Sequence, residues 1–211
     1  MYPVDKSFNF GVKAGFNSVI PFVRSLEIDG IECANISTEN KAGEEVDLFF
    51  RLNVNRFFVQ PTITWSKLSG VIKYERPALS EGSVKVDEQM KLKVSMLEIP
   101  VLIGYHVVKE NPYALSIMAG PSFRYNYKTD YIHENPGALF VYNKDSSPYG
   151  IGAVVALSVS TGPLFLDFSY DMGITPFISK FANATTPTKD GETMRLKKRE
   201  NVISFSFGFI F

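Results

Sequence analysis

From Phe8 the chain alternates. Phe8, Phe10, Val12, Ala14 and Phe16 occupy one parity, and Asn9, Gly11, Lys13 and Gly15 the other. A period of two is the signature of a β-strand whose faces meet different surroundings. Six further segments repeat it, at 45–53, 57–68, 95–106, 113–127, 149–160 and 164–175. The eighth is the clearest, with Ile203, Phe205, Phe207, Phe209 and Phe211 alternating with Ser204, Ser206, Gly208 and Ile210. No amphipathic helical period competes, and a chain rich in Phe, Tyr, Val, Ile and Thr favours strands. The connections alternate as well. Those at 54–56, 107–112 and 161–163 are short, and those at 17–44, 69–94, 128–148 and 176–201 are long. In an up-and-down barrel, alternate connections lie at opposite rims, so one rim carries tight turns and the other carries long loops. The pattern predicts one all-β domain over residues 1–211, an eight-stranded antiparallel up-and-down transmembrane β-barrel with short periplasmic turns and long extracellular loops.

Which parity faces outwards follows from charge and volume. Taking the apolar parity of the third segment from Phe57 to Trp65, no apolar-parity position in these segments is Asp, Glu, Lys or Arg, although 21% of the chain is charged. An eight-stranded barrel is only just wide enough to be filled by its own side chains, so Trp65 and this many Phe, Tyr, Leu and Ile would overfill it. The opposite parity, rich in Gly, Ser, Ala and Thr, fits inside. The charges on that parity are Lys13, Arg51 and Arg124 against Glu45, Asp47, Glu98, Asp167 and Asp171. Buried charges require partners, so these eight are expected to form a structural ion-pair network in the lumen. Aromatic residues sort into two outward girdles. Phe8, Phe57, Tyr105, Tyr113, Phe209 and Phe211 fall near the short turns; Phe16, Trp65, Tyr125, Tyr149 and Tyr170 fall near the long connections. Aromatic side chains anchor barrels at both bilayer interfaces.

Composition narrows the remaining chemistry. Lys plus Arg and Asp plus Glu are both 22, so no polybasic field is present to hold nucleic acid. The single cysteine, Cys33, forms no internal disulfide, and two histidines cannot build a His-rich metal centre. No cofactor is expected. No apolar run is long enough for a transmembrane helix, and the N-terminal residues lack the regions of a signal peptide. The chain is therefore expected to be either cytoplasmic or already trimmed.

Five segments resemble the outer-membrane β-barrel proteins of the PorT-like type found in Bacteroidetes. They are Phe10-Gly-Val-Lys-Ala-Gly-Phe16, Gln60-Pro-Thr-Ile-Thr-Trp65, Leu97-Glu-Ile-Pro-Val-Leu-Ile-Gly-Tyr105, Ala119-Gly-Pro-Ser-Phe123 and Val202-Ile-Ser-Phe-Ser-Phe-Gly-Phe-Ile-Phe211. The resemblance implies a barrel in the outer membrane of a Gram-negative bacterium and an accessory link to protein secretion. It carries no catalytic residues. A final Phe211 after alternating apolar residues is similar to the signal read by barrel-insertion machinery. Pro61, Pro100 and Pro121 cannot donate to a ladder, so each is expected at a bulge or an unpaired position.

The expected function is structural or interactive. The barrel would have a filled lumen, and its long loops would meet an extracellular or secretion-related partner, with the bilayer and lipopolysaccharide around it. The basic run Arg195-Leu-Lys-Lys-Arg-Glu200 is read as a solvated loop, with contact to lipopolysaccharide phosphates as the lesser alternative. Two other classes compete: a soluble lipocalin-like ligand-binding barrel, and a lipid-modifying outer-membrane enzyme using His133 with Asp130, Glu134 and Ser146. His106 at the short-turn rim has no evident nucleophile, so the enzyme reading is disfavoured.

Overall fold

The computed structural model describes residues 6–28, 30–76, 86–133, 145–146, 148–182 and 193–211. Among these residues eleven strands form one antiparallel sheet. They are β1 (Phe8–Ile28), β2 (Ile31–Glu32), β3 (Ala34–Val54), β4 (Phe57–Arg76), β5 (Val86–Glu110), β6 (Tyr113–His133), β7 (Asp145–Ser146), β8 (Tyr149–Thr161), β9 (Leu164–Gly173), β10 (Phe177–Ala182) and β11 (Thr193–Ile210). Eight of them pair in the cyclic order β1-β3-β4-β5-β6-β8-β9-β11, and β11 returns to β1 from Gly11↔Ile210 to Ile28↔Met194. Closure removes the open edges that a flat sheet would expose. β2, β7 and β10 are short additions at the far rim, with β10 lying against β11 and β7 against β10.

The three tight turns stand where the sequence places them. Asn55 supplies a left-handed residue (φ 58°) between β3 and β4, and Gly162 does the same (φ 59°) between β8 and β9. Backbone bonds tie neighbouring turns together, including Gly162 N–H to the Pro112 carbonyl at 2.7 Å and Ile210 N–H to the Pro163 carbonyl at 2.8 Å.

The opposite rim differs from expectation. Much of the long connections at 17–44, 69–94 and 176–201 is strand, because β1, β3, β4, β5, β6 and β11 run well past the predicted ends. The physical reason is an inversion of the pattern. On β5, Leu97, Ile99, Val101 and Ile103 face outwards and Glu98 inwards; higher up, Met90, Leu92, Val94 and Met96 face inwards and Lys91, Lys93 and Ser95 outwards. β4 inverts at the same level, with Trp65 outside below and Leu68, Ile72 and Tyr74 inside above. Below the inversion the barrel presents an apolar exterior. Above it the strands form a water-facing extension with an apolar interior.

The exterior settles one alternative. Phe8, Phe16, Phe50, Phe57, Trp65, Phe168, Phe205 and Phe207 are all more than half exposed. So continuous an apolar surface is unsuited to water and suited to lipid. A lipocalin-like barrel would hold these side chains inside, so that reading fails.

Prolines 61, 100 and 121 sit at or beside interruptions of the ladders between β4, β5 and β6, with the register unchanged across them. The register shifts lie elsewhere: at Val23/Ser25, Ala34/Ser37, Lys41/Glu44, Ser95/Met96 and His106/Val108.

Candidate functional site

The lumen is the place where this fold concentrates polar chemistry, and it is stratified. At the short-turn end Phe49, Phe165 and Ile210 form one apolar group, and Phe58, Leu102, Met118 and Val154 another. Inward aromatics fit in so narrow a barrel because glycine lies opposite. A Cβ on Gly104 would come within 2.0 Å of the Phe58 ring, and one on Gly208 within 2.3 Å of the Phe165 ring. At the far end Val19, Leu68, Leu92, Val94, Met96 and Val202 fill the lumen, followed by Leu26, Ile28, Cys33, Ile72, Tyr74, Met90 and Leu196.

Between these apolar layers lies a polar belt. Arg124, 1% exposed, is its hub. Register sets Arg124 directly opposite Glu98, and its Nε lies 3.6 Å from Glu98 Oε1. The same Nε donates to Asp171 Oδ2 at 3.0 Å, Nη2 pairs with that carboxylate as well, and Nη1 donates to the Glu200 carbonyl at 2.7 Å. A planar guanidinium can serve three acceptors at once, which a lysine in its place could not. Lys13 Nζ pairs with Asp167 Oδ2 at 3.3 Å.

The other three charges expected in the network take neutral partners. Arg51 donates through Nε and Nη2 to Gln60 Oε1, at 2.8 and 2.6 Å, and its guanidinium lies over the Phe58 ring at 4.4 Å. Asp47 accepts from the Thr64 hydroxyl, and Glu45 accepts from Ser204 Oγ at 2.7 Å and Asn17 Nδ2 at 3.5 Å. A cavity of about 40 Å³ lies among Lys13, Glu45, Asp47, Glu98, Asp167 and Asp171, room for about one water molecule. No group of three or more metal-ligating side chains occurs among the described residues.

Lys198 and Glu200 also belong to the lumen, paired at 2.7 Å, with the Lys198 ammonium over the Tyr131 ring at 5.6 Å. Sequence reasoning left both in a loop. The alternation of Leu196, Lys198, Glu200 and Val202 with Lys197, Arg199 and Asn201 marks a strand, but charges on both parities hide it. His106 points inwards rather than into a rim site: its Nδ1 lies 2.8 Å from Ser116 Oγ, and its ring lies 4.7 Å from that of Phe58. His133 ends β6, but its side chain, Glu134 and the side chain of Ser146 lie outside the described residues. Asp130 pairs with Lys128 at 3.2 Å.

The girdle residues face outwards and touch across strands. Phe57 meets Tyr105 at 5.0 Å between ring centres, Phe10 meets Phe211 at 4.8 Å, and Tyr125 meets Tyr149 at 5.1 Å. Trp65 donates its indole N–H to the Tyr127 hydroxyl, while Tyr113 and Phe8 stay exposed near the turns and Tyr170 is half-buried. Trp65 stands eight residues from Phe57 on β4. That is about 26 Å along the strand, or about 20 Å along the normal at barrel tilt, close to the height of an outer-membrane apolar band.

Above the Trp65 level the outer face is ionic. Lys67 pairs with Glu44 at 2.7 Å and Lys73 with Glu39. The hydrogen bond from Lys67 to Glu44 and the attraction between their charges raise the lysine pKa. Cys33 is buried in the apolar layer beneath, and burial, with help from Glu88 and Glu32, pushes its thiol up to about 11.

Comparison with known proteins agrees with this geometry. The chain is similar to the outer membrane protein OprG from Pseudomonas aeruginosa, at 11% identity and a TM-score of 0.68, covering 100% of this chain and 99% of that one. Neisserial surface protein A (NspA) is more distant, at 13% identity and a TM-score of 0.43, covering 97% of each chain. No curated protein matches the chain. The model of the family described as outer membrane protein beta-barrel domain matches residues 3–179. With a closed ring of eight strands, a lipid-suited exterior and that match over most of its length, the chain belongs to the outer membrane protein beta-barrel domain family and resides in the outer membrane of a Gram-negative bacterium.

Proposed function

We propose that this barrel is a non-conducting, non-enzymatic interaction protein. Its extracellular hairpins meet a partner protein, as an accessory to secretion of the kind the PorT-like resemblance implies. The observation that carries this reading is the stratified lumen. Apolar layers close both ends, the belt between them is knotted around Arg124, and the cavity there holds about one water molecule. A solute path needs a continuous polar channel, and an enzyme needs a reachable cleft with a positioned base. The strand extensions instead offer outward charge on a firm scaffold, in the pairs Lys67–Glu44 and Lys73–Glu39.

Conductance across a planar bilayer tests the closed lumen: the folded protein should give no steady ohmic current. A stable single-channel conductance would overturn the reading. In the same preparation, a photo-crosslinker at Ser37 on the outer face of the extracellular hairpin should capture a specific cell-envelope protein, whereas one at Asn55 in the opposite turn should not.

A further inference from the structure

The outward faces of β1 and β11 carry cations whose setting differs from that of other charges on the barrel. Arg195, Lys197 and Arg199 alternate with the inward Leu196, Lys198 and Glu200, so all three lie on the outer face of a strand rather than in a loop. On β1 the register shifts between Val23 and Ser25. Val23 packs inwards while Arg24 is exposed on the outside, beside Lys197, whose partner in the ladder is Ser25. A bulge re-aims a side chain in this way without breaking the sheet.

Among the described residues, no acid stands directly across from Arg24, Lys197 or Arg199. Across from Arg199 on β1 is Phe22, 61% exposed, and across from Lys197 are Ser25 on β1 and Ile178 on β10. Arg24, Lys197 and Arg199 make no ion pair among the described residues, whereas Lys67, Lys73 and Lys128 on other strands are each paired with a carboxylate. The nearest outward acid, Glu27, stands one step higher, opposite Arg195.

Height makes the cluster specific. On β1 the outward run from Phe10 to Phe22 covers about 40 Å of strand, or about 30 Å along the normal at barrel tilt, a little beyond an apolar band of about 25 Å. Arg24 and Arg199 therefore sit just above the acyl chains, at the level of the headgroups. Phe22 adds an exposed ring directly across from Arg199. Three cations above an apolar strip match an amphiphile with phosphates over acyl chains, since an unpaired guanidinium or ammonium forms strong charge-assisted bonds to phosphate.

We propose that Arg24, Lys197 and Arg199, with Phe22 beside Arg199, form a binding site for the phosphorylated glucosamine headgroup of lipid A in the outer leaflet. The site holds one lipopolysaccharide molecule against the seam where the first and last strands close the barrel.

The test is a fluorescence titration of the full chain, folded in neutral detergent, with labelled bisphosphorylated lipid A and with its dephosphorylated form. The bisphosphorylated lipid should bind at least about tenfold more tightly. The triple variant Arg24→Gln, Lys197→Gln, Arg199→Gln should lose that preference, and Lys67→Gln with Lys73→Gln should keep it. Gel mobility with and without heating reports that each variant is folded; if the triple variant does not fold, Lys197→Gln alone should weaken the preference several-fold. Equal binding of the two lipids, or an unchanged preference in the folded variant, would overturn the proposal. So would abolition of the preference by millimolar inorganic phosphate, because the site would then hold a free anion rather than a lipid.

Discussion

Arg124 shows how a single side chain holds the lumen. It touches Glu98, Asp171 and the Glu200 carbonyl, so three separate strands converge on one guanidinium. Removing it leaves two carboxylates buried without their cation. Breaking a buried pair in this way costs about 3–5 kcal/mol, more than the intact pair contributes relative to an apolar replacement. Arg124→Met should therefore lower the unfolding free energy by about that amount in a urea titration of the protein in lipid vesicles. Adding Glu98→Gln and Asp171→Asn should restore a large part of it, since no charge is then left unmatched. An unchanged urea midpoint in Arg124→Met would mean that the belt contributes nothing to stability. The pairing of Glu98 with Arg124 is legible in the sequence, because both fall on the inward parity of adjacent strands. The choice of Gln60 by Arg51 is not, since it depends on the Phe58 ring beneath the guanidinium and on Gly104 beneath the ring.

At the scale of the element, one strand does two jobs. β4 and β5 are each about twice the length a bilayer requires, and their faces exchange polarity near Trp65 and Glu98. Both halves alternate with a period of two. A search for one continuous apolar parity finds the lower half and loses the upper, where Lys91 and Lys93 alternate with Met90, Leu92 and Val94. The segment 86–96 is thus a strand by the same criterion as 97–105, read in the opposite phase. Because that upper layer is a packed core, Cys33 within it should be chemically quiet. The thiolate is the reactive form, and a thiol with a pKa of about 11 is almost wholly protonated at neutral pH. Maleimide labelling of the folded protein at pH 7 should be slow, faster on raising the pH towards 11, and rapid after unfolding. Rapid labelling of folded protein at pH 7 would mean that the extension does not pack as a core.

For the whole molecule the decisive contact is the seam between β1 and β11, residues more than 160 apart in the chain that zip together along nearly the full height of the wall. Ser18 and Ile203 stand directly opposite across it. In a Cys33→Ser background, Ser18→Cys with Ile203→Cys should form a disulfide on mild oxidation, visible as a loss of the heat-induced gel mobility change that added thiol restores, because opposed strand positions bring Cβ atoms within bridging range. Failure of the folded protein to cross-link would argue for an open sheet. What the sequence by itself determined was local and periodic. Strand after strand alternates, and an apolar parity without charge can face only lipid. A barrel eight strands wide admits only the small and polar parity at its centre, and short connections at 54–56 and 161–163 reverse the chain. What tertiary structure alone decided was non-local. Closure selects which carboxylate meets which cation, which glycine receives which aromatic ring, and at what height a bulge turns Arg24 towards the cations of the last strand. Those choices depend on shear and register around a ring, and a period of two carries no information about either.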